Sequence, residues 1–195
     1  MKFGRVVKHW LHLLGIQENN CGHIEKIVST SGGFVGIIAV ILVSHDLLGA
    51  DDSSMIIASM GASSVLLFAV PHGPLSQPWA VLGGHTLSAI IGVTCVLMIS
   101  DKYMAAAVAV GLSIGAMHYF RCIHPPGGAT ALTAVIGGGT VQTLGYQFVV
   151  TPVLINACII IIVAIAINLP FPTRRYPLAL NRYVENIKNG NRQDS

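Results

Sequence analysis

Charged residues are scarce in this chain and make up 10% of its 195 residues. Between Ile27 and Thr173 there is no glutamate, and only a few other charges occur. These are Asp46, Asp51, Asp52, Asp101, Lys102 and Arg121. A soluble domain needs far more charge on its surface. The sequence therefore excludes a soluble enzyme or binding module and predicts an integral membrane protein in contact with the lipid bilayer.

Basic residues are concentrated at the two ends of the apolar region. They are Lys2, Arg5, Lys8 and Lys26 before it, and Arg174, Arg175, Arg182, Lys188 and Arg192 after it. The sequence pI of about 8.8 comes from these ends, so no nucleic-acid partner is expected. Because cytoplasmic segments carry an excess of Lys and Arg, both ends are predicted to be cytoplasmic, which requires an even number of crossings.

The chain also lacks the residue spacings of disulfide, metal and hydrolytic sites. Its four cysteines have no paired spacing and are expected to be buried small residues. The histidines of the apolar region have no close two-histidine spacing and no accompanying thiolate or carboxylate, so no metal and no cofactor are expected. A catalytic Ser63 or Ser64 would need a base and an orienting acid, and the interior offers no Glu or Asp. The sequence therefore does not predict an enzyme.

Long apolar runs dominate the rest of the sequence. Four of them are long enough for a bilayer, which needs about twenty residues. These are Ile27 to Leu48, Trp79 to Ile99, Tyr103 to Phe120, and one run within Gln142 to Leu169. Two shorter runs are Met55 to Val70, interrupted at Gly61–Ser64, and about ten residues after Pro125. The predicted fold is an all-α polytopic membrane protein with four full transmembrane helices and two short or broken ones.

Three regions follow from this pattern. Residues 1–26 form an N-terminal segment in which several apolar side chains share one face, as in a helix lying on the membrane surface. A solvated tail is also compatible with this segment. Residues 27–173 form the transmembrane domain, and residues 174–195 form a cytoplasmic tail.

The most unusual stretch in the apolar region is His124–Thr130. Pro125 and Pro126 cannot continue a helix, but both fit where a helix starts. Gly127 and Gly128 allow the backbone to approach a ligand closely. The residues after them have a helical composition, so the stretch predicts a break followed by a half-helix. The free N–H groups of that half-helix would face an anion.

A weak internal repeat relates this stretch to an earlier one. Gly61-Ala62-Ser63-Ser64 aligns with Gly128-Ala129-Thr130-Ala131, although Gly- and Ala-rich membrane sequences also converge by chance. If the repeat is real, two three-segment halves, at about 27–99 and 103–169, insert in opposite directions as an inverted repeat. Two broken-helix N-termini would then converge on one small volume that favours an anion.

Two histidines are candidates for the chemistry of such a site. His124 either contacts substrate or takes up a proton, or else it caps the end of a helix. His85 either lines a pore or bonds two helices together. His118 and Asn156 are further candidates for pore-lining residues, with interhelical bonding as the alternative for Asn156. Arg121 either pairs with an anion or extends to the headgroups. The candidate substrate-binding residues are Gly61, Ala62, Ser63, Ser64, His85, His124, Pro125, Pro126, Gly127, Gly128, Ala129 and Thr130.

Several of these motifs together resemble a known family. His124-Pro125-Pro126-Gly127-Gly128-Ala129-Thr130-Ala131 is similar to the name-giving motif of the HPP family of small integral membrane proteins. Similar blocks are Gly61–Phe68, Gln77-Pro78, Gly83-Gly84-His85 and Arg174-Arg175-Tyr176-Pro177, so the resemblance covers about residues 27–177. It implies a multi-pass protein of a bacterial inner membrane or plastid envelope, and it implies nitrite as a transported substrate.

The sequence thus predicts membrane transport of a small monovalent anion, with nitrite as the expected substrate and the bacterial inner membrane as the expected location. It does not separate nitrite from nitrate, formate or bicarbonate, nor a channel from a proton-coupled carrier. Faces of small residues favour a homo-oligomer. A membrane sensor or assembly subunit without a permeation path is the alternative.

Overall fold

A computed structural model of the protein describes residues 21–48 and 54–180, together with Trp10 and residues 13–15. Every regular element in these residues is helical. The α-helices are α1 His23–Leu48, α2 Ser54–Ala69, α3 Pro78–Met98, α4 Lys102–Tyr119, α5 Pro126–Ile136, α6 Gly139–Leu144 and α7 Ile155–Asn168. A π-helical turn, Val149–Leu154, leads into α7, and 3₁₀ turns occur at Pro74–Ser76 and Pro172–Arg174. The predicted surface segment 1–26 and the predicted tail 174–195 lie largely outside the described residues, and Asp51 and Asp52 lie wholly outside them.

Long and short apolar helices alternate in the described part of the chain. Three helical segments are long and apolar enough to cross a membrane: His23–Asp46, Pro78–Met98 and Val149–Asn168. Ile57–Ala69 and Pro126–Ile136 are shorter apolar helices. These elements confirm the helical membrane architecture. Helix α4, predicted as a fourth full span, is 18 residues long but is not in the first group, so the span count stays a prediction.

The predicted interruption at Gly61–Ser64 is wrong, because these residues lie in the middle of the continuous helix α2. Ser63 Oγ lies 3.3 Å from the carbonyl oxygen of Ser59, one turn earlier, so the hydroxyl is accommodated without opening the helix. A glycine inside a helix costs only about 1 kcal/mol relative to alanine. Packing of α2 against α1, α5 and α7 outweighs that cost. The Gly61–Ser64 stretch therefore presents no helix N-terminus.

The predicted break at the prolines is confirmed. Helix α5 begins at Pro126, in the first helical turn where a missing N–H costs nothing, and ends with Gly137 as its cap residue. Its 11 residues extend about 16 Å, roughly half the thickness of a bilayer core. A second proline, Pro152, lies in the π-helical turn beside the non-helical Thr151, inside the predicted last span.

One buried arginine shows which helix ends lie together. Arg174 is 2% exposed, and its Nη1 donates to Glu25 Oε1 in the first turn of α1 at 3.3 Å. Its Nε donates to Asn168 Oδ1 at the end of α7 at 3.1 Å, and its Nη2 donates to the Phe68 carbonyl near the end of α2. The start of α1 and the ends of α2 and α7 therefore meet at one end of the bundle, which we call the Arg174 end.

The remaining long helices can be oriented against this end. Gln77, just before α3, accepts a hydrogen bond from the Leu178 amide at 3.0 Å, which places the start of α3 at the Arg174 end. Trp79 Nε1 donates to the Phe120 carbonyl at 3.0 Å, so α4 finishes there as well. Helices α1 and α3 therefore lead away from the Arg174 end, and α2, α4 and α7 lead back to it.

Short helix α5 packs against α2, α3 and α4, and Thr130 and Thr133 lie on its buried face. Many large apolar side chains on the other helices point outward instead. Phe34 is 70% exposed, Val65 63% and Leu97 65%. Large apolar surfaces of this kind are typical of interaction with a membrane or a partner. The polar side chains of α5 consequently face the interior of the bundle rather than its surroundings.

Candidate functional site

Hydrogen bonds join four buried polar side chains near the start of α5. Ser63 on α2 lies between two histidines, with its Oγ 2.9 Å from His124 Nε2 and 2.8 Å from His85 Nε2. The other ring nitrogen of His85 lies 2.7 Å from Thr130 Oγ1 on α5. All four side chains are at most 1% exposed. We call His124, Ser63, His85 and Thr130 the histidine cluster.

A backbone carbonyl fixes the direction of these hydrogen bonds. His124 Nδ1 lies 2.8 Å from the carbonyl oxygen of Leu75, and because a carbonyl only accepts, this nitrogen must carry a hydrogen. In an uncharged cluster, His124 Nε2 is therefore an acceptor and Ser63 donates to it. His85 Nε2 then donates to Ser63, and Thr130 donates to His85 Nδ1. Every ring nitrogen and hydroxyl has a partner without any net charge.

The two rings are in direct contact. The ring centroids of His85 and His124 are 4.9 Å apart, with an angle of 65° between the planes. Among the described residues, no carboxylate, lysine or arginine bonds to either ring. Nor do three or more His, Cys, Asp or Glu side chains gather there in an arrangement that could hold a metal ion. The pair is thus a polar site in an apolar bundle, without a charged partner among the described residues.

The turn after α4 brings His124 into the bundle. Cys122 N donates to the Met117 carbonyl at 3.0 Å and Arg121 N to the His118 carbonyl at 3.2 Å. This is the pattern of a Schellman motif, whose left-handed residue is usually glycine. Here it is Arg121, with φ of 55°. The motif turns the backbone off the axis of α4, and His124 follows it toward α2 and α3.

Glycines allow the backbone segments around the cluster to approach closely. A Cβ on Gly84 would lie 2.6 Å from the Cβ of His124, and a Cβ on Gly127 would lie 2.8 Å from the Gly84 carbonyl oxygen. Any side chain at either position would push α3 away from His124 or from α5. Gly84 directly precedes His85, so one turn of α3 carries one histidine and makes room for the other.

Four predicted site residues therefore meet in the cluster, but the predicted cradle of free backbone amides is not present. Pro126 has no N–H, and the amides of Gly127 and Gly128 already donate to the carbonyls of His124 and Pro125, at 2.8 and 3.0 Å. The turn that starts α5 uses these donors itself. Gly61–Ser64 contributes none either, because it lies within α2.

The other predicted residues lie around the cluster. A groove of about 470 Å³ beside α2 is lined by Ala62, Val65, Leu66, Pro125, Pro126 and Ala129. A cavity of about 280 Å³ on the side of α4 is lined by Val110, Ile114, Met117, His118, Ile123, Pro125 and Gly128. The two spaces flank the turn at Pro125, and the histidine cluster lies behind that turn.

Three candidates lie elsewhere. Ser64 donates to the Gly33 carbonyl at 3.4 Å, which links α2 to α1. Asn156, on α7, is fully buried and donates to Ser44 Oγ at 2.7 Å, a bond between helices of the kind expected as its alternative. Arg121 is exposed. None of the three bonds to the cluster within the described residues.

Some residues that shape the site have no signal in the sequence. Leu75 acts through its carbonyl, which any residue could supply. Arg174 stands among the basic residues that mark a cytoplasmic end and in the block Arg174-Arg175-Tyr176-Pro177, but neither indicates that it is buried in a network between three helices. Tyr176 of the same block is also fully buried.

Comparison with known proteins supplies the family. The sequence model described as "HPP, transmembrane region" matches residues 19–177. The chain belongs to the HPP transmembrane family. The match includes every member of the histidine cluster, as well as Leu75 and Arg174.

Curated relatives of this HPP protein occur in Dictyostelium discoideum. One, named only as a transmembrane protein, is 37% identical over 149 residues, which cover 74% of this chain and 52% of the relative. A second transmembrane protein is 33% identical over 149 residues, covering 74% of this chain and 48% of the relative. The chain thus spans about half the length of the curated relatives it matches. No solved structure matches it.

Proposed function

We propose that this HPP protein transports a small monovalent anion across the membrane, with nitrite as the substrate. The observation that carries the proposal is the histidine cluster, which places two histidines in a bundle of apolar helices without a charged partner among the described residues. Ionisable side chains at membrane depth are costly and usually belong to substrate or proton pathways. The choice of nitrite rests on the resemblance to family members implicated in its transport.

In this proposal the anion passes the turn at Pro125. The groove beside α2 and the cavity beside α4 both reach this turn, and both are lined mainly by apolar atoms. Although the first amides of α5 are already bonded, the N-terminal end of a helix keeps a partial positive charge. His118 lines the cavity on one side of the turn. The anion would exchange part of its water shell for the positive end of α5 and for the His118 ring.

We also propose that the bundle is an inverted repeat of two three-helix halves, α1–α2–α3 and α4–α5–α7. Contacts at the Arg174 end support this proposal, because α1 and α4 run in opposite directions, as do α3 and α7. The two aligned hydroxyl residues, Ser63 and Thr130, add support. They bond to the two ring nitrogens of the same residue, His85.

A catalytic role for the cluster is less well supported, and we propose that the protein is not an enzyme. Ser63, His124 and the Leu75 carbonyl do resemble a nucleophile, a base and an orienting acceptor. However, Ser63 Oγ is fully buried and already has three partners, His85, His124 and the Ser59 carbonyl. An acyl or phosphoryl group would have to displace one of them before reaching the hydroxyl.

For location, we propose a bacterial inner membrane, with both chain ends in the cytoplasm and several copies forming a homo-oligomer. The location rests on the resemblance, and the orientation rests on the basic residues at the two ends. The Glu25–Arg174 contact supports a common side for the start of α1 and the end of α7.

Purified protein in liposomes tests the proposed function. We expect nitrite uptake above that of empty vesicles, and the empty vesicles also correct for passive entry of the undissociated acid. His124→Ala should lower uptake by about tenfold or more, because it removes buried hydrogen bonds to Leu75 and Ser63. His45→Ala, at an exposed position near the end of α1, is the matched control. Wild-type uptake equal to that of empty vesicles would leave the sensor or assembly role as the better explanation.

A further inference from the structure

We propose that the histidine cluster is a reversible proton-binding site that takes up one proton with each anion carried. Transport would then be an electroneutral symport rather than conduction through a channel. The inference rests on the proposed function for its anion, but the proton-binding site itself follows from the geometry of His124, Ser63, His85 and Thr130.

The cluster has a second complete set of hydrogen bonds, which holds one more proton. A hydronium ion gives a proton to Thr130 Oγ1 and leaves as water, while Thr130 passes its own hydrogen to His85 Nδ1. His85 passes its Nε2 hydrogen to Ser63, and Ser63 passes its hydrogen to His124 Nε2. His124 becomes an imidazolium, and His85 is again neutral with its hydrogen on the other nitrogen.

Acceptors for this second arrangement are already in place. His124 now donates to Ser63, Ser63 to His85 Nε2, and His85 Nδ1 to Thr130. The Thr130 hydroxyl turns toward the Pro126 carbonyl, whose oxygen lies 3.4 Å away. No buried hydroxyl or ring nitrogen loses its partner in either arrangement, so the shift leaves no unsatisfied polar group behind.

The two ends of the cluster differ in whether they can exchange a proton with their surroundings. At the His124 end, Nδ1 donates to the Leu75 carbonyl, and an amide carbonyl is too weak a base to take the proton onward. Thr130 is at the other end, and its sequence neighbour Ala129 lines the groove beside α2. A proton therefore enters and leaves by the Thr130 end. The cluster stores a proton instead of conducting it from one side of the membrane to the other.

Burial of the charge couples the proton to an anion. An unpaired imidazolium in an apolar bundle is costly, and so is an unpaired anion, but together they are neutral. Within the described residues, the elements packed against the rings supply no carboxylate that bonds to either ring, and Asp101, which caps the start of α4, accepts from the Met104 amide at 2.7 Å. Their titratable or basic groups are His72, Cys95, Lys102, Tyr103, His118, Tyr119, Arg121 and Cys122, and none of them bonds to either ring within the described residues.

Nitrite uptake into liposomes that contain a pH-sensitive dye tests the proposal. We expect an inward proton gradient to drive uptake, one proton to enter per nitrite, and a potassium diffusion potential to leave the rate unchanged. Ser63→Ala removes the hydroxyl through which the two rings are hydrogen-bonded, and it should lower gradient-driven uptake about tenfold or more. Ser63→Thr keeps the hydroxyl and should restore proton coupling in the fraction that folds.

Ser113→Ala is the matched control, because Ser113 is also a fully buried serine in an apolar helix, but on α4 and outside the cluster. Its uptake and its proton stoichiometry should equal those of the wild type.

Thr130→Val has nearly the same shape as threonine but no hydroxyl, so it should lose proton coupling, whereas Thr130→Ser should keep it. Equal losses in Ser113→Ala and Ser63→Ala would point to a general packing effect and overturn the assignment.

Two results would separate this inference from the proposed function. Nitrite uptake that follows voltage and brings in no protons would overturn the symport while leaving nitrite transport in place.

Absence of nitrite uptake would overturn the proposed function. Nitrogen NMR of ¹⁵N-histidine-labelled protein in bilayers would then test the proton-binding site by itself. On acidification we expect His124 to become doubly protonated while His85 moves its hydrogen from Nε2 to Nδ1. Retention of the Nε2–H form of His85 would exclude the site.

Discussion

At the scale of single residues, the site depends on the absence of a side chain at Gly84. Its backbone carries the turn of α3 before His85, and the space that a side chain would fill is taken by His124. The sequence identifies Gly83-Gly84-His85 as a notable block, but it gives no indication of the partner, which comes almost forty residues later. Gly84 and His124 are far apart in the chain, and they come into contact only because α3 packs against the turn before α5.

We predict that Gly84→Ala lowers both stability and nitrite uptake. The new methyl group would lie 2.6 Å from His124 Cβ, and overpacking of this kind costs about 1–3 kcal/mol. Gly111→Ala is the control, since a Cβ there meets no atom within 4 Å and alanine is the better helix former. Thermal unfolding in detergent, together with uptake into liposomes, provides the measurement. Equal behaviour of the two variants would contradict the close approach at Gly84.

At the scale of helices, the sequence predicts elements more reliably than their interruptions. Pro125 and Pro126 start a helix, and no preceding helix can run through them, for covalent reasons, because proline lacks an N–H and fixes φ. The break there was therefore predictable. Gly61 and Ser63 only weaken a helix, and whether it continues depends on neighbours that the sequence does not specify. Packing of α2 between α1, α5 and α7 decides the outcome in favour of a continuous helix.

The histidine cluster could be predicted as a set of residues, but not as an arrangement. Ser63, His85, His124 and Thr130 all stand out as polar groups in apolar surroundings. The sequence predicts them in the walls of an anion cavity, with a bond between helices as the alternative for His85, and the structure places them in direct contact with one another. Local periodicity cannot specify contacts between α2, α3 and α5, since each depends on how three helices pack.

Arg174 links helix ends, and its removal should destabilise the bundle. Arg174→Met would leave the Phe68 carbonyl and Asn168 without their donors and Glu25 without its partner, a loss of about 3 kcal/mol. Arg175→Met removes a neighbouring charge outside this network and is the control. Thermal unfolding of both purified variants gives the comparison. A melting temperature for Arg174→Met equal to that of the control would show that the network adds nothing to stability.

At the scale of the whole molecule, the two proposed halves would be related by direction rather than by close sequence similarity. Helix α1 leads away from the Arg174 end while α4 leads toward it, and α3 and α7 are opposed in the same way. The aligned residues Ser63 and Thr130 then approach His85 from its two ring nitrogens. An inverted repeat of this kind would need only the residues around the shared histidine to be alike, which is compatible with the weak similarity in the sequence.

Membrane orientation can be checked by labelling single cysteines in a variant without the four native ones. We predict that Gly22→Cys and Arg175→Cys react with an impermeant thiol reagent only after cells are opened. Ser100→Cys, at the opposite end of the bundle, should react in intact cells after removal of any outer barrier. Positions 22 and 175 reacting from opposite sides would contradict the Glu25–Arg174 contact and the even number of crossings.

The contact between Glu25 and Arg174 also makes the folded path nearly circular. The first helix begins beside the segment that follows the last, while the connection between the halves, at Ser100 before α4, lies at the far end. A linker between residues 180 and 22, combined with new termini next to Ser100, would yield a circular permutant in which the second half is synthesised first. The folded contacts contain no preference for either order of synthesis, because each half lies against the other in the same way whichever comes first.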